Sequence, residues 1–118
     1  MSEHDEQVAL FAWAQWQAPA VPELALLFAI PNGGHRHKAT AAKMKAEGVK
    51  AGVLDVMLPV ARNGRHGLFV EMKHGYNKPS NEQLWWLEQL EAQGYQTAVC
   101  YSFEAAQGEI MRYLGVWQ

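Results

Sequence analysis

The sequence lacks the features that mark secreted, membrane-spanning and zinc-binding proteins. It has a single cysteine, Cys100, so no internal disulfide can form, and no Cys/His set has zinc spacing. No apolar run approaches the roughly 20 residues of a membrane span. The acidic start MSEHDEQ does not resemble a signal peptide. We therefore expect a cytoplasmic protein with no membrane partner, and we interpret Cys100, which lies in the apolar run 97–101, as a core thiol.

Positive charge is scarce in the chain as a whole but not in its middle. The formal net charge is −2. Residues 35–78 nevertheless hold nine Lys or Arg against three acids, while the remaining positions hold one basic residue against nine acids. This segment suits a phosphate backbone as partner, although an ordinary solvated surface has the same composition.

Length and composition predict one folded domain over residues 1–118. The hydrophobic fraction is 49% and the chain has five Trp, which is typical of a protein with a single core. Periodicity and turn residues predict these elements in order: a helix at 3–17, an apolar segment at 24–30 that could be helix or strand, a helix at 40–47, strands at 53–60 and 68–73, a helix from Ser80 to Gly94, a strand at 95–101 and a helix at 103–114.

The two central strands each contain a carboxylate where an apolar residue is expected. Asp55 lies in an otherwise uncharged run, and Glu71 lies in the second apolar strand. The turn cluster 62–67, which contains an Asn-Gly step, predicts that the strands form a hairpin. Because side chains alternate along a strand, Glu71 and Lys73 share one face, and the hairpin brings Asp55 roughly opposite Glu71.

This grouping of charges favours a metal site. Half-buried carboxylates repel one another and lose solvation, whereas a divalent cation such as magnesium prefers oxygen ligands. Lys73 could then orient a water molecule or stabilise negative charge on a phosphate. The alternative is an exposed strand face with an ordinary Glu–Lys pair, and the E-x-K spacing by itself does not separate the two.

The flanking sequence resembles a known family. The element order, a G-x-x-D motif at 52–55 and an E-x-K motif sixteen positions after the aspartate are similar to the PD-(D/E)xK nuclease superfamily, and more narrowly to the stand-alone VRR-NUC domains of phages and bacteria. Five blocks carry this resemblance in order over nearly the whole chain: EHDEQVALFAWA, AIPNGG, AAKMKAEGVKAGVLDVMLP, GLFVEMK and SNEQLWWLEQLEAQGY. It implies an α/β fold with a restriction-endonuclease-like core, in which helices flank a central mixed sheet.

The resemblance also implies roles for individual residues. Asp55 and Glu71 would bind the catalytic Mg²⁺ or Mn²⁺ together with the backbone carbonyl of Met72. Lys73 would position or activate the attacking water, and Gln83 would lie beside the site.

An acid from the opening helix would complete this set. Glu3 fits best because it precedes Gln7 by four residues, and Glu6 is the alternative. The family usually has proline before the aspartate, where this chain has Leu54. Proline there supplies no ligand, so we expect activity to be retained.

The expected function is that of a metal-dependent DNA endonuclease, acting as a homodimer on branched DNA such as four-way (Holliday) junctions in a bacterial or phage-infected cell. Exposed aromatic residues on the helices of Trp13 and of Trp85 and Trp86 are consistent with a dimer. The alternatives are a flap, nick or sequence-specific nuclease, and a nuclease-derived DNA-binding module. The predicted DNA contacts are Asn32, Arg36, Lys38, Lys43 and Lys45.

Overall fold

A computed structural model describes residues 2–31 and 38–118. Within these ranges, helices and strands alternate in an α/β arrangement. The helices are α1 (Glu3–Gln17), α2 (Lys38–Ala46), α3 (Asn81–Ala92) and α4 (Phe103–Tyr113). The strands are β1 (Phe28–Ala29), β2 (Val56–Leu58), β3 (Leu68–Met72) and β4 (Gln96–Cys100). The segment at 24–30, which periodicity left open, contains the end of a 3₁₀ turn (Pro22–Leu26) followed by β1.

The strands form one mixed sheet in the order β1-β2-β3-β4. Strands β1, β2 and β3 pair antiparallel, and β4 pairs parallel to β3 after the chain crosses over through α3. The expectation of a central mixed sheet flanked by helices is confirmed. The register pairs Val56 with Val70. Asp55, one position earlier, is therefore at the register position of Glu71, as the predicted hairpin requires.

Both faces of β3 are covered, and all five of its residues are buried. Leu68, Val70 and Met72 join a core cluster that includes Leu10 of α1 and Ile110 of α4. The alternate side chains point to the other face, where Glu71 contacts Gln83 of α3. The sheet is therefore packed between the α1–α4 pair and α3, and Glu71 lies on the α3 side.

The first strand of the hairpin is shorter than predicted. The pattern favours a strand over 53–60, whereas β2 covers only Val56–Leu58. The Val60 N–H donates to the Leu58 carbonyl at 2.9 Å, so the chain turns at Pro59 and leaves the ladder. The Asn-Gly turn is confirmed by its backbone angles, with φ of 55° at Asn63 and 75° at Gly64.

Side-chain caps fix the ends of two helices that contribute to the site. Ser2 caps α1 and forms a capping box with Asp5, a pair that we did not predict although its S-x-x-D spacing is the usual signal. Ser80 caps α3 and forms the predicted capping box with Gln83. These caps hold the first turns of α1 and α3, from which Glu3 and Gln83 project.

Two expectations drawn from absences can be compared with the structure. Cys100 is 2% exposed, which confirms a core thiol, and burial raises its pKa to about 12. Within residues 2–31 and 38–118, none of the helices is both long and apolar enough to span a bilayer.

The turn at Gly64 yields a stability prediction. Gly64→Ala is expected to destabilise the fold by about 1 kcal/mol, because an L-residue is strained at positive φ, while no atom lies within 4 Å of the added Cβ. Urea denaturation measures the change. Gly108→Ala is the matched control, since alanine inside α4 improves helix propensity, and the atom nearest the added Cβ, at 3.0 Å, is at the end of the half-exposed Arg112 side chain, whose ion pair with Glu109 is long at 3.9 Å. Equal stability of the Gly64 variant and the wild type would contradict the strained-turn account.

Candidate active site

The candidate site lies at the end of the sheet where β2 begins and β3 ends. Asp55 immediately precedes β2, and its backbone carbonyl accepts the Ile30 N–H at 2.7 Å, which ties it to the segment after β1. Its Oδ2 accepts the Met72 N–H at 2.9 Å. The backbone contact thus holds Asp55 beside the segment after β1, and the side-chain contact holds its carboxylate against the end of β3.

Glu71 is a buried carboxylate with an incomplete set of hydrogen bonds. The residue is 2% exposed. Its Oε2 accepts a hydrogen bond from Gln83 Nε2 at 2.5 Å and lies 3.5 Å from Lys73 Nζ. Its Oε1 is buried and has no hydrogen-bond partner among the described residues. Burying an oxygen without a partner costs free energy, and a ligand that binds to its lone pairs would remove that cost.

The Met72 carbonyl faces the same region as Asp55. The Lys73 N–H donates to the Cys100 carbonyl on β4 at 2.8 Å. In a planar trans peptide the N–H and the preceding carbonyl point in opposite directions. The Met72 carbonyl therefore points away from β4, towards the side of β3 on which Asp55 lies.

The pKa values of both carboxyl groups are raised in the absence of a cation. Burial is the main cause for Glu71, the negative charge of Asp55 adds to it, and together they raise the pKa of Glu71 to about 8. Burial also raises the pKa of Asp55, with a further contribution from Glu3, while the Met72 N–H opposes the shift. A further positive charge at the site would lower both pKa values and stabilise the ionised carboxylates.

Gln83 is positioned by a turn of α3 that packs closely on a glycine. Its Oε1 accepts the Ser80 N–H at 2.8 Å, so the same side chain caps the helix and holds Glu71. Gly52 has a φ of 82°, and a Cβ there would lie 2.5 Å from the Cβ of Glu82 and 3.0 Å from the Gln83 nitrogen. We did not predict this contact from the sequence. The glycine of the G-x-x-D motif was the available signal, because glycine permits close backbone approach.

The structure distinguishes the two glutamates considered on α1. Glu3 lines a cleft of about 460 Å³ together with Gln7 and Asp55. Glu6 is engaged elsewhere, since its Oε2 accepts the Phe103 N–H at 2.6 Å at the start of α4. Glu3 is therefore the α1 acid that the fold brings towards the site.

The donor set fits a hard divalent cation. Among residues 2–31 and 38–118, no group of three or more His, Cys, Asp or Glu side chains could hold a metal ion. Magnesium sites in nucleic-acid enzymes often use one or two carboxylates and leave other positions for water and phosphate oxygens. Asp55, the partnerless Oε1 of Glu71 and the Met72 carbonyl meet that requirement.

The predicted DNA contacts are only partly described. Lys43 and Lys45 are exposed on α2. Asn32 and Arg36 lie outside the described residues, as does the side chain of Lys38.

Leu54, at the position where the family has proline, is fully buried.

A mixed sheet with an aspartate before one strand and an E-x-K at the end of its neighbour is the arrangement of PD-(D/E)xK nucleases. The family model for the VRR-NUC domain matches residues 1–104. The chain therefore belongs to the VRR-NUC family, whose domains are nucleases of this type and generally use divalent metals. The resemblance inferred from the sequence blocks is confirmed.

A solved structure agrees with this assignment. A chain described as a VRR_NUC domain protein superposes with a TM-score of 0.82 and is 26% identical, over 98% of this chain and 90% of that one. No curated protein matches the sequence.

The raised pKa of Glu71 predicts how stability depends on pH without metal. The folded-state pKa of about 8 lies above the ordinary value of 4.5 for a glutamate, so the folded protein binds this proton more tightly than the unfolded chain. The resulting stabilisation is complete below about pH 4.5 and is lost as the pH rises through about 8. In EDTA, we expect the melting temperature to fall across this interval, and Glu71→Gln to flatten the fall. Glu88→Gln, which changes an exposed acid of α3, should leave the slope unchanged; a pH-independent wild type would contradict the prediction.

Proposed function

We propose that residues 1–118 form one nuclease domain that hydrolyses DNA phosphodiester bonds as a Mg²⁺- or Mn²⁺-dependent endonuclease. The observation that carries the proposal is the buried, partnerless Oε1 of Glu71, which lies at the same strand end as Asp55, the Met72 carbonyl and Lys73. A structural Glu–Lys pair on an exposed face would have left Glu71 solvated. Its 2% exposure supports a ligand site instead.

The metal-binding roles are assigned to Asp55, Glu71 and the Met72 carbonyl. A bound divalent cation would supply positive charge next to the scissile phosphate. Gln83 keeps one oxygen of Glu71 occupied, so that the other oxygen faces the ligand. The contact between Asp55 and the Met72 N–H likewise fixes the direction of the aspartate.

Lys73 is proposed to act on water and phosphate. Its ammonium lies 3.5 Å from Glu71 Oε2, and its side chain is only 12% exposed. A partly buried ammonium in this position can donate a hydrogen bond to the attacking water or to a phosphate oxygen. Hydrolysis then forms a bond between the water oxygen and phosphorus, while the bond to the leaving sugar oxygen breaks.

The substrate is proposed to be branched DNA, cut by a homodimer in the cytoplasm of a bacterial or phage-infected cell. The exposed Lys43 and Lys45 on α2 support contacts to phosphates. Exposed aromatic residues on α1 and α3, such as Trp16 and Trp85, are available for a second copy or for the DNA. Two sites related by a two-fold axis would suit a symmetric four-way junction.

Cleavage assays test the chemistry and the substrate together. A labelled four-way junction and a linear duplex of the same sequence are incubated with Mg²⁺, Mn²⁺ or EDTA. We expect metal-dependent, paired and symmetric cuts in the junction. Asp55→Ala and Lys73→Ala should lower the rate by at least about 100-fold, the usual scale for losing a positioned catalytic group, and the Lys73 variant should still bind DNA.

Each other outcome of this assay has a specific meaning. Cutting of the duplex, or of nicked or flapped DNA alone, would retain the chemistry and replace the substrate. Wild-type rates for Lys73→Ala would remove its role. DNA binding without cleavage of any of these DNAs, together with no Mg²⁺ binding in calorimetry, would favour a nuclease-derived binding module.

The roles of the α1 glutamates are separable by a matched pair of variants. Glu3→Gln is expected to lower metal-dependent cleavage several-fold and leave stability nearly unchanged, because Glu3 lines the cleft with Asp55. Glu6→Gln should lower stability by about 1 kcal/mol, the scale of a lost helix cap, because it weakens the contact to the Phe103 N–H. Cleavage rates and urea denaturation curves measure the two effects. The reverse pattern would assign the catalytic role to Glu6.

A further inference from the structure

A second cleft lies beside the first turns of α3 and has an aromatic wall. Its volume is about 540 Å³. The lining residues are Lys50, Ala51, Asn81, Glu82, Trp85 and Trp86. The roles proposed above for the metal site do not involve this cleft.

The aromatic wall is held in place before any ligand binds. The Trp86 indole N–H donates to the Ala51 carbonyl at 3.1 Å. Trp85 packs against Trp86 at nearly a right angle, with 5.2 Å between ring centroids and 84° between planes. Trp85 is nevertheless 55% exposed. The hydrogen bond fixes Trp86, and the open face of Trp85 beside it can accept a flat ring.

The cleft is built from the segments that carry the candidate active site. Ala51 precedes Gly52, which contacts Glu82 and belongs to the segment that leads to Asp55. Gly52 also lies against the backbone nitrogen of Gln83, whose side chain donates to Glu71, while Glu82 lines the cleft. A DNA strand that places a phosphate near Asp55 and Glu71 therefore has the aromatic cleft close to it.

The polar residues of the cleft are suited to a nucleotide. Lys50 can pair with a phosphate, and α2 adds the exposed Lys43 and Lys45 before it in the chain. Asn81 and Glu82 provide side-chain oxygens that can accept hydrogen bonds from an exocyclic base amine. The same charges argue against a second copy of this chain as the occupant, because the centres of protein–protein interfaces are depleted of charged residues.

We propose that this cleft binds an unpaired nucleobase of the DNA substrate, stacked on Trp85, with Lys50 at the adjoining phosphate. The inference rests on the proposed nuclease function and specifies its substrate class as branched DNA that exposes an unpaired nucleotide at the branch point, near the cut. Stacking on an indole is open to every base, so the cleft selects unpaired DNA without selecting a sequence.

Binding measurements on Trp85→Ala test the inference. Fluorescence anisotropy in EDTA compares a short labelled single strand with a blunt duplex of the same length, so that no cutting occurs. Loss of one base stack is expected to weaken single-strand binding roughly tenfold, with duplex binding changed less than about twofold. Trp85→Phe, which keeps a stacking ring, should retain most of the affinity. Trp117→Ala is the matched control, since Trp117 is 44% exposed after α4 and does not line the cleft.

The remaining outcomes separate this inference from the proposed function. Unchanged single-strand binding by Trp85→Ala, equal losses for single strand and duplex, or no single-strand binding by the wild type would each overturn it. Conversion of a dimer to a monomer by Trp85→Ala, with single-strand affinity unchanged, would assign the cleft to a second copy. If the wild type cuts DNA in an Asp55-dependent manner while Trp85→Ala binds normally, only this inference fails. If Trp85→Ala loses single-strand binding but no metal-dependent cleavage is found, only the nuclease proposal fails.

Discussion

Burial of the Glu71 carboxylate is the constraint on which the rest of the site depends. A carboxylate in the middle of a covered strand is unfavourable unless its oxygens are satisfied. Gln83 satisfies one oxygen, and this requires the first turn of α3 to stay against the sheet. The Ser80 cap and the absence of a side chain at Gly52 both maintain that position. The other oxygen has no hydrogen-bond partner among the described residues, so a packing requirement and the proposed metal site depend on the same residue.

Much of this arrangement follows from local sequence patterns. The Asn-Gly turn fixes the hairpin, and the hairpin register places Asp55 beside the level of Glu71. The Ser80 and Gln83 spacing predicts the start of α3. These features depend on residues close in sequence or on the alternation of side chains, which is why they can be predicted without a structure.

The features that could not be predicted depend on contacts between distant segments. The spacing to Gln7 favours Glu3 over Glu6 in the sequence, but the contact that occupies Glu6, the N–H at the start of α4, could not be predicted. The fit of Gly52 against Glu82 also joins segments thirty positions apart in the sequence. The end of β2 is a different case, since the chain turns at Pro59 through a local contact, and the proline inside the predicted strand was an available signal.

The contact between Glu6 and Phe103 spans 97 positions and joins the first helix to the last. Helix α1, which carries Glu3, packs on α4, and α4 follows the sheet and α3 in the chain. A nascent chain that has exposed Asp55, Glu71 and Lys73 therefore still lacks the contacts between α1 and α4. The packing that holds Glu3 beside Asp55 is therefore complete only after α4 has been synthesised.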